Sequence, residues 1–218
     1  MSVPGADGPG AAELLAVAPV IPVLVLDDAT TAVPVARALV AGGLPVLEVT
    51  LRTDAALAAL ERVAAEVPGA VVGAGTVRTG AQAREAVRAG ARFLVSPGSH
   101  ASLVRSMQET GAAVLPGVAT PTEVLAVQDL GLSEMKLFPA EQVGGVRLLA
   151  ALAGPFPDVA FCPTGGVTAT GAVDYLAQPN VACVGGSWLA PPALVAARDW
   201  EQITQLARAA AALRPPRA

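Results

Sequence analysis

The sequence predicts an α/β fold, a (β/α)8 barrel of the TIM type. Three observations carry that expectation. Eight short apolar runs recur along the 218 residues, their starts roughly 20 to 26 residues apart. The runs are rich in Val, Leu and Phe with little apolar–polar alternation, as strands buried on both faces require. Between them lie alanine-rich stretches with helical spacing, most of them ended by Gly or Pro.

Residues 1–10 carry Gly, Pro and Asp but no basic residue, and read as a flexible N-terminal tail, not a secretory signal. Residues 11–218 are then a single barrel domain. Glu13–Val17 supplies a short N-terminal helix. The first strand, Val20–Leu26, leads to a helix over Thr30–Ala41 that Gly42-Gly43 stops. The second, Pro45–Leu51, precedes a helix capped by Thr53 or Asp54 and ended by Pro68-Gly69. Val71–Val77 is followed by a segment from Thr79 to Gly90, and Arg92–Pro97 by one from Ser99 to Gly111. After Ala113–Val118, the run Thr120-Pro121-Thr122-Glu123 has a capping residue, a proline in the first turn and a glutamate three positions after the cap. Met135–Pro139, Val159–Pro163 and Val181–Gly186 complete the strands, and Gly144–Leu152, Thr168–Ala177 and Asp199–Leu213 the helices. An open doubly wound sheet is the rival fold. It calls for a glycine fingerprint after the first strand, where this chain has Asp27-Asp28-Ala29-Thr30.

Composition narrows the function. The chain is 53% hydrophobic and 15% charged, with a net charge of −4, so it folds around a large core. It has no long basic run, which argues against a nucleic-acid partner. No apolar run reaches the roughly 20 residues of a membrane span. Cys162 and Cys183 fall inside expected strands without a metal spacing, and read as buried thiols of a cytoplasmic protein.

In a barrel of this type, ligands meet the chain where strands end and helices begin. Lys136, the chain's only lysine, lies in Glu134-Met135-Lys136-Leu137-Phe138-Pro139, an apolar run. A buried amine loses hydration, deprotonates more readily and becomes a nucleophile, which arginine cannot do. The alternative is a lysine snorkelling from a strand end. Glu48 sits among Val46, Leu47, Val49 and Leu51. A carboxylate there needs a partner; it is either a general acid/base or one half of a structural ion pair with Arg52 or Lys136. Arg52 offers a planar fork for a carboxylate or phosphate, unless it only opens the next helix. Thr76 and Thr164, beside glycines at strand ends, are ligand contacts or helix caps. Gly165-Gly166 and Gly185-Gly186-Ser187 end the last two strands, where barrels often bind phosphate through backbone amides and the following helix dipole; tight turns without a ligand are the other reading. His100, the only histidine, has no metal-ligating companions. Phe138 and Trp188 read as packing, or as an apolar wall beside a substrate.

A lysine nucleophile, a buried glutamate, an arginine and a phosphate cradle together point to a class I lyase. The amine adds to a ketone, and the protonated imine serves as the electron sink, so neither metal nor cofactor is called for.

The motifs Leu47-Glu48-Val49-Thr50-Leu51-Arg52-Thr53, Gly73-Ala74-Gly75-Thr76-Val77, Lys136-Leu137-Phe138-Pro139-Ala140-Glu141, Phe161-Cys162-Pro163-Thr164-Gly165-Gly166-Val167 and Gly185-Gly186-Ser187-Trp188-Leu189 occur in that order. Together they resemble the 2-keto-3-deoxy-6-phosphogluconate (KDPG) aldolase family, from about Pro19 to Arg208. The resemblance implies that Lys136 forms the Schiff base and Glu48 shuttles protons. It implies that Arg52, Thr76 and Thr164 handle the carboxylate and hydroxyls, and that Gly165, Gly166, Gly185 and Ser187 bind the phosphate. It further implies the closing step of the Entner–Doudoroff route, pyruvate and glyceraldehyde 3-phosphate as products, cleavage of 4-hydroxy-2-oxoglutarate as well, and a homotrimer. One departure stands out. Many members carry a basic residue just after the first strand, where this chain has Asp27-Asp28. Two carboxylates there would oppose a phosphate by charge. A related aldolase for an unphosphorylated or epimeric keto acid is therefore the second expectation, and a non-catalytic phosphate-binding barrel the third.

Overall fold

Strands form where apolar runs predict them, trimmed at their ends by turn residues. The computed structural model describes residues 10–213. Helix α1 spans Ala11–Val17, and Gly10, assigned by sequence to the tail, is its N-cap, its N–H donating to Glu13 Oε2 at 3.0 Å. The rest of the expected tail lies outside the described residues. Next come β1 (Val20–Leu24), α2 (Ala32–Ala41), β2 (Val46–Thr50), α3 (Ala56–Glu66), β3 (Val71–Gly75) and α4 (Gly80–Arg88). They are followed by β4 (Phe93–Val95), α5 (Ala101–Gln108), β5 (Ala113–Leu115), β6 (Gly117–Val118), α6 (Pro121–Gln128), β7 (Glu134–Leu137) and α7 (Gly145–Ala153). The chain continues through β8 (Ala160–Pro163), α8 (Ala172–Leu176), β9 (Val184–Gly186), α9 (Pro192–Ala197) and α10 (Trp200–Ala211).

All strand pairs are parallel. Six strands pair in the order β5-β4-β3-β2-β1-β9 and three in the order β6-β7-β8. The expected fifth strand, Ala113–Val118, is divided at Pro116, which has no N–H to give to a ladder. Its carbonyl still accepts from Lys136 N at 2.9 Å. On the other side, bridges at Phe161↔Val181 and Thr164↔Gly185 link β8 to the β9 segment. The result is an α/β fold with a strongly curled parallel sheet.

Alternation sets what each face of the sheet does. Leu47, Val49, Leu94, Val114, Met135 and Leu137 join the large core under the helices. Ile21, Val46, Phe93, Val95, Leu115, Cys162 and Cys183 form a second apolar cluster on the opposite, inner face, with Leu14 and Leu15 of α1 packed into it. Glu48 lies two residues beyond Val46 and so shares that inner face, nearer the C-terminal ends of the strands.

Most helix boundaries follow their caps. Thr79 accepts from Gln82 N, Asp199 from Gln202 N, and Thr120 and Glu123 form the expected capping box. Replacing Thr120 by Ala removes one acceptor from the first turn of α6. Urea unfolding of Thr120→Ala is expected to show a loss of about 1 kcal/mol; an unchanged midpoint would contradict the cap.

Two local expectations are corrected. The cap of α3 is neither Thr53 nor Asp54 but Ala55, with no side-chain bond. Thr53 Oγ1 is engaged elsewhere, donating to Leu26 O at 2.5 Å and tying the end of β2 to that of β1. Helix α8 begins at Ala172, not Thr168, because Thr168 Oγ1 accepts from Gly171 N and holds a separate turn. Helix α9 has no counterpart among the expected helices; Pro191 is its N-cap, Pro192 its first residue, and Arg198, in the left-handed region, its C-cap.

Candidate active site

Lys136 and Glu48 meet on the inner face. Lys136 comes from the middle of β7, between β6 and β8, in register with Gly117 and Cys162. Its Nζ lies 3.1 Å from Glu48 Oε1 and 3.5 Å from Oε2. The side chains are only 3% and 4% exposed. The snorkelling alternative is thereby removed, because the ammonium end does not reach bulk water. The ring of Phe138 stands 5.3 Å from Nζ at its centroid, so the residue is the apolar wall beside the amine. Trp188 instead packs against Gly186, where a Cβ would fall among its ring atoms.

Space for the carboxylate comes from β3. A Cβ at Gly75 would lie far inside van der Waals contact of Glu48 Oε1, and one at Gly73 would fall on the Phe93 ring. Glycine on the same face two residues apart thus leaves one gap for an apolar ring and the next for a charged group. The functional part of Gly75 was not read from sequence. Two glycines at strand spacing, i and i+2, were the available signal.

Arg52 lies in the turn between β2 and α3, four residues before the helix starts, and is exposed. Its Nε donates to Thr76 Oγ1 at 2.9 Å. Thr76 has φ +59°, a rare conformation for a β-branched residue, of the kind that concentrates at ligand sites. Neither residue is a helix element: α4 is capped by Thr79. Thr164 is buried at the end of β8, its hydroxyl donating to Cys162 O at 3.3 Å, and caps nothing.

The two glycine turns are neighbours. Gly165 and Gly166 have φ of +98° and +81°, and the bridge Thr164↔Gly185 sets the end of β9 beside them. Gly185 leaves room for the Thr164 hydroxyl, and Ser187 follows, exposed. The expected help from a helix dipole directly after Gly166 is absent, since the Thr168–Gly171 turn intervenes before α8. An anion at this corner would have backbone amides and the Ser187 hydroxyl as its available donors.

The carboxylate of Asp28 is exposed and hydrogen-bonded within its own turn. Its oxygens accept from Thr30 N at 2.8 Å and Thr30 Oγ1 at 2.6 Å, capping a short 3-10 turn over Ala29–Thr31. Those bonds with Thr30 hold its pKa below the usual value, and the charges of Arg198 and Arg62 act in the same direction. Asp27 is exposed. His100 is the N-cap of α5, Nδ1 accepting from Leu103 N at 3.2 Å. Cys162 and Cys183 are both buried. Among the described residues no helix is long and apolar enough to cross a membrane.

Comparison with known proteins gives a consistent answer. A family model described as KDPG and KHG aldolase matches residues 12–206. A 2-dehydro-3-deoxy-phosphogluconate aldolase of Pseudoalteromonas atlantica is 51% identical over 194 residues, 89% of this chain and 90% of its own length. A KHG/KDPG aldolase of Escherichia coli K12 is 49% identical over 200 residues, 92% of this chain and 94% of its own. The crystal structure of KDPG aldolase from Legionella pneumophila, with pyruvate captured as a covalent carbinolamine, superposes with a TM-score of 0.90 at 44% identity, covering 92% of this chain and 97% of that one. The Zymomonas mobilis enzyme with 3-phosphoglycerate gives 0.89 at 49% identity, covering 93% and 95%.

Proposed function

The chain belongs to the KDPG and KHG aldolase family, a family of carbon–carbon lyases, and from that premise we propose that it cleaves 2-keto-3-deoxy-6-phosphogluconate to pyruvate and glyceraldehyde 3-phosphate, and 4-hydroxy-2-oxoglutarate by the same chemistry. One observation carries the mechanism: a buried amine 3.1 Å from a buried carboxylate, at the C-terminal side of the inner face.

Proton transfer from Lys136 to Glu48 frees the amine, which attacks C2 of the keto acid to give a carbinolamine. Glu48 returns the proton to the departing hydroxyl, and loss of water leaves a protonated imine. Glu48, through a water, then takes the C4 hydroxyl proton. The C3–C4 electron pair moves into the imine, glyceraldehyde 3-phosphate leaves, and an enamine remains. Protonation at C3 and hydrolysis release pyruvate and restore Lys136. Arg52, held by Thr76, pairs with the C1 carboxylate, and Thr164 contacts the hydroxyl-bearing carbons. Gly165, Gly166, Gly185 and Ser187 receive the phosphate. The phosphorylated substrate is preferred to the unphosphorylated alternative because of the paired glycine turns at the ends of β8 and β9, and not because of Asp28, which is exposed and keeps its charge. The same reading closes the strands into a full (β/α)8 barrel, supported by the Thr164↔Gly185 bridge and the continuity through Pro116. It includes a cytoplasmic homotrimer, as the resemblance implies.

Borohydride added with pyruvate is expected to leave one reduced pyruvate on the protein, seen by intact mass and mapped to the Lys136 peptide. As the chain has no other lysine, no second ε-amine competes. Absence of the adduct, or its persistence in Lys136→Arg, would defeat the mechanism.

A further inference from the structure

The Gly165-Gly166 turn rests on Glu141. Glu141 N donates to Gly165 O at 3.1 Å, and Ala140 N to Thr164 O at 2.8 Å. A Cβ on Gly166 would come within 2.6 Å of Glu141 Cγ and 2.7 Å of its Cβ, so the turn lies directly against the glutamate stem. The far end of that side chain is held by Tyr175 of α8, whose hydroxyl donates to Glu141 Oε1 at 2.5 Å. Tyr175 is 1% exposed and part of the main core, so it is a fixed point. Burial, and then the bond to Glu141, push the phenol pKa far up, and the group stays a donor throughout the working range. Gly145, at φ +55°, lets the backbone pass the hydroxyl, which a Cβ would approach to 2.8 Å. Beyond the pair the surface opens into a cavity of about 330 Å³ lined by Gly144, Arg147, Gly171 and Asp174, so packed side chains do not wedge the glutamate from that side.

We propose that Glu141 and Tyr175 are positioning residues for the phosphate end of the substrate: their bond braces the Gly165-Gly166 turn and thereby sets affinity for a phosphorylated keto acid over an unphosphorylated one. The proposal rests on the reading that this turn receives the phosphate. Neither side chain touches the reacting atoms. Glu141 lies beyond the strand that carries Lys136, and the Lys136–Glu48 contact is made through β2 and β7 without it. Loosening the brace therefore shifts the amides of the turn and leaves the amine in place.

The test uses Tyr175→Phe, Glu141→Ala and Glu141→Gln in the full chain, with 2-keto-3-deoxy-6-phosphogluconate and 4-hydroxy-2-oxoglutarate as paired substrates. Tyr175→Phe and Glu141→Ala are expected to raise KM for the phosphorylated substrate about tenfold, from a lost charge-assisted bond only partly felt at the turn. Both kcat and the KM for the unphosphorylated acid should stay within about twofold of wild type. Glu141→Gln keeps an acceptor for the phenol and should recover most of the loss. Equal KM increases for both substrates would reduce the pair to a general structural tie, and no change in either would remove it altogether. Should Glu141→Ala fail to fold, Tyr175→Phe, which deletes a single oxygen, decides the matter. A wild-type protein with no preference for the phosphorylated substrate would defeat the phosphate cradle, and the brace with it, before any variant is made.

Discussion

Lys136→Met is expected to lower turnover by about 10⁴-fold or more, because no other side chain of this site can form an imine. The same variant should also lose stability. Glu48 is 3% exposed and its carboxylate faces Lys136 at 3.1 Å. Removing one partner of a buried pair leaves the other charge uncompensated, at a cost of about 3–5 kcal/mol. Neutralising both ends should restore most of this: Lys136→Met/Glu48→Gln is expected to unfold near the wild-type urea midpoint while remaining inactive. A single variant as stable as wild type would show that the pair is hydrated in solution. A double variant no more stable than the single one would show that the loss came from packing and not from charge. Stability and catalysis are opposed here, since a pair that costs desolvation is kept where chemistry needs an amine and a base together.

Gly75→Ala is expected to cost about 10²-fold in kcat, the penalty of moving a catalytic group by about 1 Å. The new methyl would occupy the place of the Glu48 carboxylate, and the flexible end of the glutamate must give way. Overpacking of this kind also destabilises by about 1–3 kcal/mol. Gly73→Ala is the matched control, since its methyl would meet the Phe93 ring two residues further from the chemistry. It should lose comparable stability with a much smaller fall in kcat. If the two variants lose kcat alike, the loss comes from general distortion of β3. If Gly75→Ala keeps wild-type kcat, the position of Glu48 is set by something other than this gap.

Much of the architecture is legible before folding, for reasons that particular elements show. The parallel strands are covered on both faces, so β1 reads as an unbroken apolar run and β2 as one interrupted only by Glu48 before it ends at Thr50. Helix stops are local chemistry, as Gly42, Gly90 and Gly131 show at the ends of their helices. The capping box of α6 is likewise contained in four consecutive residues. What failed was decided by competition between neighbours. Thr53 looked like a cap, but Leu26 O, 27 residues away in sequence, took its hydroxyl. Thr168 looked like a helix start, but its own turn with Gly171 delayed α8. The split of the fifth strand at Pro116 has a local cause that an apolar run conceals.

The site divides in the same way. Residue types alone singled out Lys136, a lone lysine in an apolar strand, and Glu48, a lone carboxylate in another. Their meeting across 88 positions of sequence is a property of the curled sheet. So are the gap that Gly75 leaves, the hold of Thr76 on Arg52 and the brace of Tyr175 on Glu141. By itself the order of residues determined which segments become parallel strands, which become helices, and which reactive groups are buried at strand ends, because hydrophobic pattern and caps act over a few residues. Only the tertiary structure decided which group faces which, because a contact between side chains on different strands depends on register and curvature that no single segment contains.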